Sequence, residues 1–383
     1  MNERLKQIKL HPVRYYKSLI KNDPQGIDLT IGEGHFNSPF NAKLKVYEAL
    51  LTNNTKYSQI EGDKALRKLV VEKYYPKYDE NTEIIITNGS SQGLFNVLLT
   101  LISSFEDEVI IAGPYYPAYY NVIRLLGAKP VVIDTSKSQF KLNRELLEIK
   151  VNKNTKALII NEPNNPTGVS YTLSEKKELL NYSVEKEIYV IVDEIYRLYT
   201  DSSYVPFHDL LDNNSKKYFI FINGLSKSHL MTGYRIGFVL SNPLFCQQLR
   251  KANYLIVSSI SSIMQQAAIG ALTDDYFCEF VKKYYLNNVA MLLDALKFLK
   301  VPYVDTTCGY YVFIDVSKFN MSGREFCLFF SKNYHIALVP GDLFGVDYSN
   351  YIRVSCCKDV TDIVKFVEFF TSYIASISQI SWL

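Results

Sequence analysis

Between about residue 80 and residue 240, seven short apolar runs alternate with longer stretches of helical periodicity, and this alternation restricts the chain more than any other feature. The runs are EIIIT (83–87), DEVIIAG (107–113), KPVVID (129–134), KALIIN (156–161), IYVIVDE (188–194), YFIFIN (218–223) and RIGFVLS (235–241). Each is rich in β-branched or aromatic residues and bounded by turn formers. Runs of this kind joined by helices predict βα units and a mostly parallel sheet, since parallel neighbours need a crossover between them. A periodic stretch from Asp275 to Leu299 predicts a long helix leaving this unit, and YYVFIDV (310–316) and IALVPG (336–341) supply strands for a smaller one. At 383 residues the chain also exceeds the roughly 250–300 at which a single core stops growing.

Charge narrows the partners. Lysine and arginine number 42 against 39 aspartate and glutamate, with no long run of one sign, so neither nucleic acid nor an acidic membrane is implied and a small molecule is expected. The six cysteines show no CxxC spacing, which suggests neither a disulfide scaffold nor a metal site and fits a reducing cytoplasm. The first twenty residues carry charges and a proline where an export signal needs an apolar stretch. The most apolar windows, Leu94 to Ile102 and Tyr254 to Leu272, are too short or too interrupted to span a membrane, and both read as buried helices.

In open α/β sheets ligands gather at the carboxyl ends of the strands, and four strings lie there. In ITNGSSQGLFNVLL (86–99) a strand runs through Gly89-Ser90-Ser91 into a helix, an arrangement that offers N–H groups, hydroxyls and the positive helix end to an anion, although a serine-rich cap would look the same. NEPNNPTG (161–168) is a turn stiffened by Pro163 and Pro166 that holds Asn165 out at a strand end. VDEIYRLY (192–199) puts Asp193 at the end of an apolar strand, and strand alternation sends Asp193 and Glu194 to opposite faces, so they do not form an acid–base pair. A carboxylate in that setting needs a cation or a donor. In NGLSKSHLMTGYRIGF (223–238), Lys227 follows a strand and Arg235 opens the next; a desolvated lysine near other cations is an activated amine for Schiff-base chemistry, and an arginine can fork onto a phosphate. Taken singly, either cation could be a solvated loop charge.

The four strings in this order resemble the class I/II aminotransferases of the fold-type I pyridoxal-phosphate enzymes. The likeness runs from about Asp28 to Ser355 and includes LTIGEGHFNSP (29–39), KYSQIEGDKALRKLV (56–70), PYYPAY (114–119), TCGYYVFI (307–314), LVPGDLFG (338–345) and YIRVS (351–355). It implies an α/β fold with a large domain over 41–276, built on a mostly parallel central sheet flanked by helices, and a smaller α+β domain from 1–40 and 277–383. It implies pyridoxal 5'-phosphate held as a Schiff base on Lys227, with Asp193 paired to the pyridine nitrogen, Tyr196 and Asn165 on the ring oxygen and Tyr116 stacked on the ring. Ser90, Ser91 and Arg235 would hold the phosphate, with Ser226 as a weaker donor and Tyr57 reaching in from the other subunit of a homodimer. Arg353, with Asn165 and the Gly32 N–H, would bind the α-carboxylate of the amino acid or 2-oxo acid.

The resemblance implies amino transfer by a ping-pong mechanism. β-Lyase, synthase and decarboxylase chemistry share the fold, and the bond broken depends on a geometry that sequence does not reveal. Two departures from the family pattern stand out. Gly224 takes the place of a phosphate-binding serine, and Gly34 that of a proline, which is expected to loosen the segment over the substrate. No residue is assigned to a second, distal carboxylate.

Overall fold

The computed structural model describes residues 3–6, 8, 13–21 and 23–380, with side chains as far as 377. Residues 1, 2, 7, 9–12, 22 and 381–383, which include the outer ends of the expected smaller domain and part of the N-terminal stretch read for an export signal, lie outside the described set.

Twelve strands are described: β1 (Ile27–Asp28), β2 (Ile84–Asn88), β3 (Glu108–Gly113), β4 (Lys129–Asp134), β5 (Thr155–Asn161), β6 (Tyr189–Asp193), β7 (Phe219–Gly224), β8 (Ile236–Leu240), β9 (Tyr311–Asp315), β10 (Ile336–Ala337), β11 (Val339–Pro340) and β12 (Tyr351–Ser355). Seven of them form one sheet in the order β2-β8-β7-β6-β5-β3-β4. Every one of the seven sequence runs becomes a strand of this sheet. All its neighbours are parallel except those of β8, which runs antiparallel to both β2 and β7. The centre of the sheet is buried on both faces, which explains why β5, β6 and β7 read as unbroken apolar runs rather than alternating ones.

Side chains alternate across the sheet into two cores. Ile110, Leu158, Val190 and Phe221 pack on one face, and Ile111, Ile159, Ile191 and Ile220 on the other. A separate cluster gathers Tyr16 and Leu29 near the N-terminus with Val281, Leu292, Val312, Phe326 and Phe366. It surrounds the antiparallel β11-β12-β9 sheet and the parallel pair of β1 with β10. The long helix expected from Asp275 is found as Asp275–Phe298, capped by the Asp274 side chain accepting from the Phe277 N–H.

One expectation changes. The window from Tyr254 to Leu272 is not one buried helix but the end of Pro243–Val257 and all of Ser262–Leu272, broken where Ser258 adopts φ 59°. Tyr254, Leu255 and Ile256 on the first part are exposed. The expectation at Gly34 is joined by a packing reason: a Cβ there would fall 2.5 Å from the Tyr285 hydroxyl and 2.6 Å from a Leu230 methyl, so a larger residue would require those side-chain ends to shift.

Candidate active site

The carboxyl ends of the central strands present their last residues to one side. In the register of the sheet Asn161 stands beside Asp193, and Asp193 beside Ile222. β7 then ends at Gly224 and turns at once into the short helix Leu225–Ser228, which carries Lys227. β2 turns at Gly89, φ +77°, into the helix Gly89–Leu101, bringing Ser90 and Ser91 to the same edge. The Arg235 guanidinium lies against this helix end, since a Cβ on Gly89 would be 2.4 Å from it, and it donates to the Thr232 carbonyl at 2.9 Å.

A cavity of about 460 Å³ opens over these ends. Gly32, Ser90, Ser91, Tyr116, Asn165, Asp193, Tyr196, Ser226, Lys227, Arg235 and Arg353 all line it, so ten positions scattered over three hundred residues, and Gly32 with them, meet where the sequence strings indicated. Tyr57 is the exception: it is 91 % exposed and does not line the cavity of its own chain.

Asp193 is 8 % exposed. Its carboxylate accepts from the Tyr119 hydroxyl at 2.7 Å and from the Ile195 N–H at 3.2 Å. Burial raises its pKa above the ordinary carboxylate value, a rise that these donors and the Lys227 charge oppose. Glu194 points to the other face, where it accepts from Tyr75 at 2.8 Å, as strand alternation requires. The Lys227 amine donates to the Gly32 carbonyl at 2.6 Å. Burial lowers its pKa below the ordinary lysine value, and the Arg353 and Arg235 charges act in the same direction.

Arg353 is 5 % exposed. It donates to Asn165 Oδ1 at 2.8 Å and to the Thr30 carbonyl, and its guanidinium lies over the Tyr311 and Phe344 rings, 4.2 and 4.9 Å from their centroids. Its Nε has no hydrogen-bond partner, and no carboxylate lies within 4.0 Å of the group among the described residues. Asn165 is fixed in turn by its N–H donating to Asn161 Oδ1 at 2.7 Å.

Sequence reasoning missed several cavity residues, of which four bear on the chemistry. Tyr119 sits in a quoted string, PYYPAY, but nothing there distinguishes it from Tyr116. Tyr311 sits in TCGYYVFI and Asn161 opens NEPNNPTG; each was read only as part of its motif. Arg14, from the helix Val13–Ser18, also lines the cavity, and no motif signals it.

Gly224 also finds an explanation. Opposite it in the antiparallel pair is Gly237, and a Cβ at Gly224 would lie 2.7 Å from the Ile236 carbonyl oxygen. A serine there would need the two strands to move apart.

Comparison with known proteins gives one consistent answer. The family model for aminotransferase class I and II matches residues 24–370. A probable N-acetyl-LL-diaminopimelate aminotransferase of Bacillus subtilis is 33 % identical over 367 residues, covering 94 % of this chain and 92 % of the relative. A (5-formylfuran-3-yl)methyl phosphate transaminase of Methanocaldococcus jannaschii is 35 % identical, covering 89 % of this chain and 90 % of that one. Among solved structures, aspartate aminotransferase from Thermus thermophilus with maleate superposes with a TM-score of 0.89 at 26 % identity, over 97 % of this chain and 98 % of the other.

Proposed function

The chain belongs to the class I and II aminotransferases, and from that membership we propose how its own residues move an amino group between an amino acid and a 2-oxo acid. The family works with pyridoxal 5'-phosphate. The residues present fit that group: a buried amine, a buried carboxylate with no cation bound to it, and serine hydroxyls beside a guanidinium at a helix N-terminus. The observation that carries the reading is Arg353, a buried guanidinium without an anionic partner among the described residues, lining the same cavity as the Lys227 amine. An α-carboxylate supplies the missing charge.

Lys227 would hold the cofactor covalently and, as a free amine, would take the α-proton of the substrate and give a proton back. Its lowered pKa leaves a larger share of the free amine unprotonated at neutral pH, ready to accept that proton. The cofactor, when bound, supplies the sink for the electrons that the proton leaves behind. Asp193 would pair with the ring nitrogen, which would give its costly buried carboxylate a cation. Tyr196 and Asn165 would hydrogen-bond the ring oxygen, and Tyr116 would cover the ring. Ser90, Ser91, Ser226 and Arg235 hold the phosphate. Arg353 orients the substrate by its carboxylate, with help from Asn165 and the Gly32 N–H.

We assign Tyr57 to the phosphate site of a second copy, making the protein a homodimer with shared sites. Its exposure supports this, as do the exposed apolar residues Tyr47, Leu51 and Leu255 on the same part of the surface, which the Ser58 to Ile260 and Ser262 to Asn54 hydrogen bonds join into one region. The division into 41–276 and the remainder belongs to the same proposal: Arg14, Gly32, Tyr311 and Arg353 line the cavity from the smaller part and the residues assigned to the cofactor line it from the larger, so closure between them would exclude water. Six free, buried cysteines support a reducing compartment, the cytoplasm. Among the described residues, no helix is long and apolar enough to cross a membrane.

Offering amino acids one at a time without an acceptor tests the reading. A true donor should release one 2-oxo acid per site and leave the cofactor aminated, and Lys227→Ala should abolish both this and the visible absorption of the lysine-bound cofactor. Release of ammonia with pyruvate, or of carbon dioxide, would replace transamination by a lyase or decarboxylase.

A further inference from the structure

Tyr196 is not the only phenol beside the residues assigned to the cofactor. Tyr311, the first residue of β9, brings its hydroxyl to 3.2 Å from the Tyr196 hydroxyl in a buried contact. Tyr196 also stands 3.5 Å from Asn165 Nδ2, while Asn165 Oδ1 accepts from Arg353 at 2.8 Å. That guanidinium fixes the amide, because a flip would turn an NH₂ group toward a pure donor. Asn165 therefore offers Tyr196 a donor. Arg353 lies over the Tyr311 ring, 4.2 Å from its centroid, and completes a circuit of four side chains: Arg353, Asn165, Tyr196 and Tyr311.

Each phenol has one proton to give, and the surrounding charges decide which gives it to the other. Among the described residues, the groups that act most strongly on the pair are Asp193, Tyr116, Cys357 and Arg353, with the Tyr310 ring in contact, and Arg353 is the cation among them. A cation against the face of the Tyr311 ring favours negative charge on its oxygen, while Asp193 disfavours it on Tyr196. Tyr311 is thus the better donor of the two. Its proton goes to Tyr196, and the Tyr196 proton is left for an acceptor in the cavity.

We propose that the Tyr311 hydroxyl is a positioning group for the reaction, donating to Tyr196 and so directing the Tyr196 proton at the cofactor's ring oxygen. The proposal rests on the role given above to Tyr196. The hydroxyl also depends on Gly32: a Cβ at that position would lie 1.8 Å from the Tyr311 oxygen, so any side chain there would displace it. Arg353 is then linked to the ring oxygen on both sides, through Asn165 and through Tyr311.

The variant that isolates the hydroxyl is Tyr311→Phe, which keeps the ring beneath Arg353. In the holoenzyme, the midpoint of the pH titration of the visible cofactor–lysine absorption should rise by about half a pH unit, since a weaker Tyr196 donor stabilises the ring oxyanion less. In a Tyr196→Phe background the same substitution should produce no further rise. The dissociation constant of a non-reacting α-methyl amino acid should stay within about twofold of wild type. An unmoved midpoint, an equal shift without Tyr196, or a loss of α-carboxylate affinity in its place would each overturn the proposal. Wild-type protein that forms no lysine-bound chromophore would instead overturn the reading of Lys227, so the two failures are distinguishable.

Discussion

Burial holds the Asp193 carboxyl above the ordinary carboxylate range, even with the Tyr119 hydroxyl donating to it. In the cofactor-free chain the folded state therefore binds this proton more tightly than the unfolded one. The stability it contributes is fully present below the unfolded value, near 4 as an order of magnitude, and is lost as pH rises through the folded value. Urea unfolding of cofactor-free protein across mild acid should show that loss, and Asp193→Asn should flatten it; an unchanged slope would mean that burial does not govern this carboxyl. In the holoenzyme, Asp193→Ala should slow α-proton removal more than it weakens substrate binding. Arg353→Lys should weaken amino-acid and 2-oxo-acid binding by about tenfold to a hundredfold, because a point charge cannot copy the fork, and amines lacking a carboxylate should be unaffected. At this scale the sequence was most legible where a residue type is rare in its setting: a lysine and two arginines among apolar strand ends. It was least legible for tyrosine, of which there are 30. Tyr119 reaches Asp193 from a helix and Tyr311 reaches Tyr196 from another sheet, and no local pattern encodes contacts that depend on how distant elements pack.

The turn that carries Asn165 is secured from beneath by an element outside the cavity. Lys176, on the helix Leu173–Lys186, is 1 % exposed at its side chain and lies 2.7 Å from Glu162, which is fully buried. The amine also donates to the Val205 carbonyl at 2.7 Å and lies 3.9 Å from the centre of the Tyr204 ring. Removing one partner leaves a buried charge unmet, so Lys176→Met should cost about 3–5 kcal/mol of stability in urea unfolding. Replacing both partners by apolar residues should cost clearly less, and equal losses would show that the pair acts only by packing. The strands were the readable elements: β2 to β8 all fall within a residue or two of their apolar runs. The break at Ser258–Ser261 was legible only in the serines that interrupt the apolar window: the Ser261 side chain caps the next helix by accepting from the Met264 N–H, and the Ser58 hydroxyl adds a tertiary bond to the Ile260 carbonyl.

At the scale of the whole molecule, the proposal of a shared site makes a prediction of assembly. Mixing Tyr57→Ala with Lys227→Ala protein should restore activity once subunits exchange, since one of the two sites in a heterodimer then has both residues intact. Proven exchange without recovery would return Tyr57 to the solvent. The chain's own order has a further effect. Among the described residues β1 pairs with β10 alone, Ile27 beside Ile336, and Thr30 accepts from Arg353. Two segments far apart in the chain thus meet at the pocket. A ribosome adding about 5–20 residues per second needs roughly 15–60 seconds to pass from the first of these segments to the second. Throughout that interval the segment bearing Gly32 has no sheet to join, while the strands carrying Asp193 and Lys227 have already emerged. A nascent chain that has not reached β10 and Arg353 therefore carries the residues assigned to the cofactor without the guanidinium assigned to the substrate carboxylate, and gains it only when the later segment emerges.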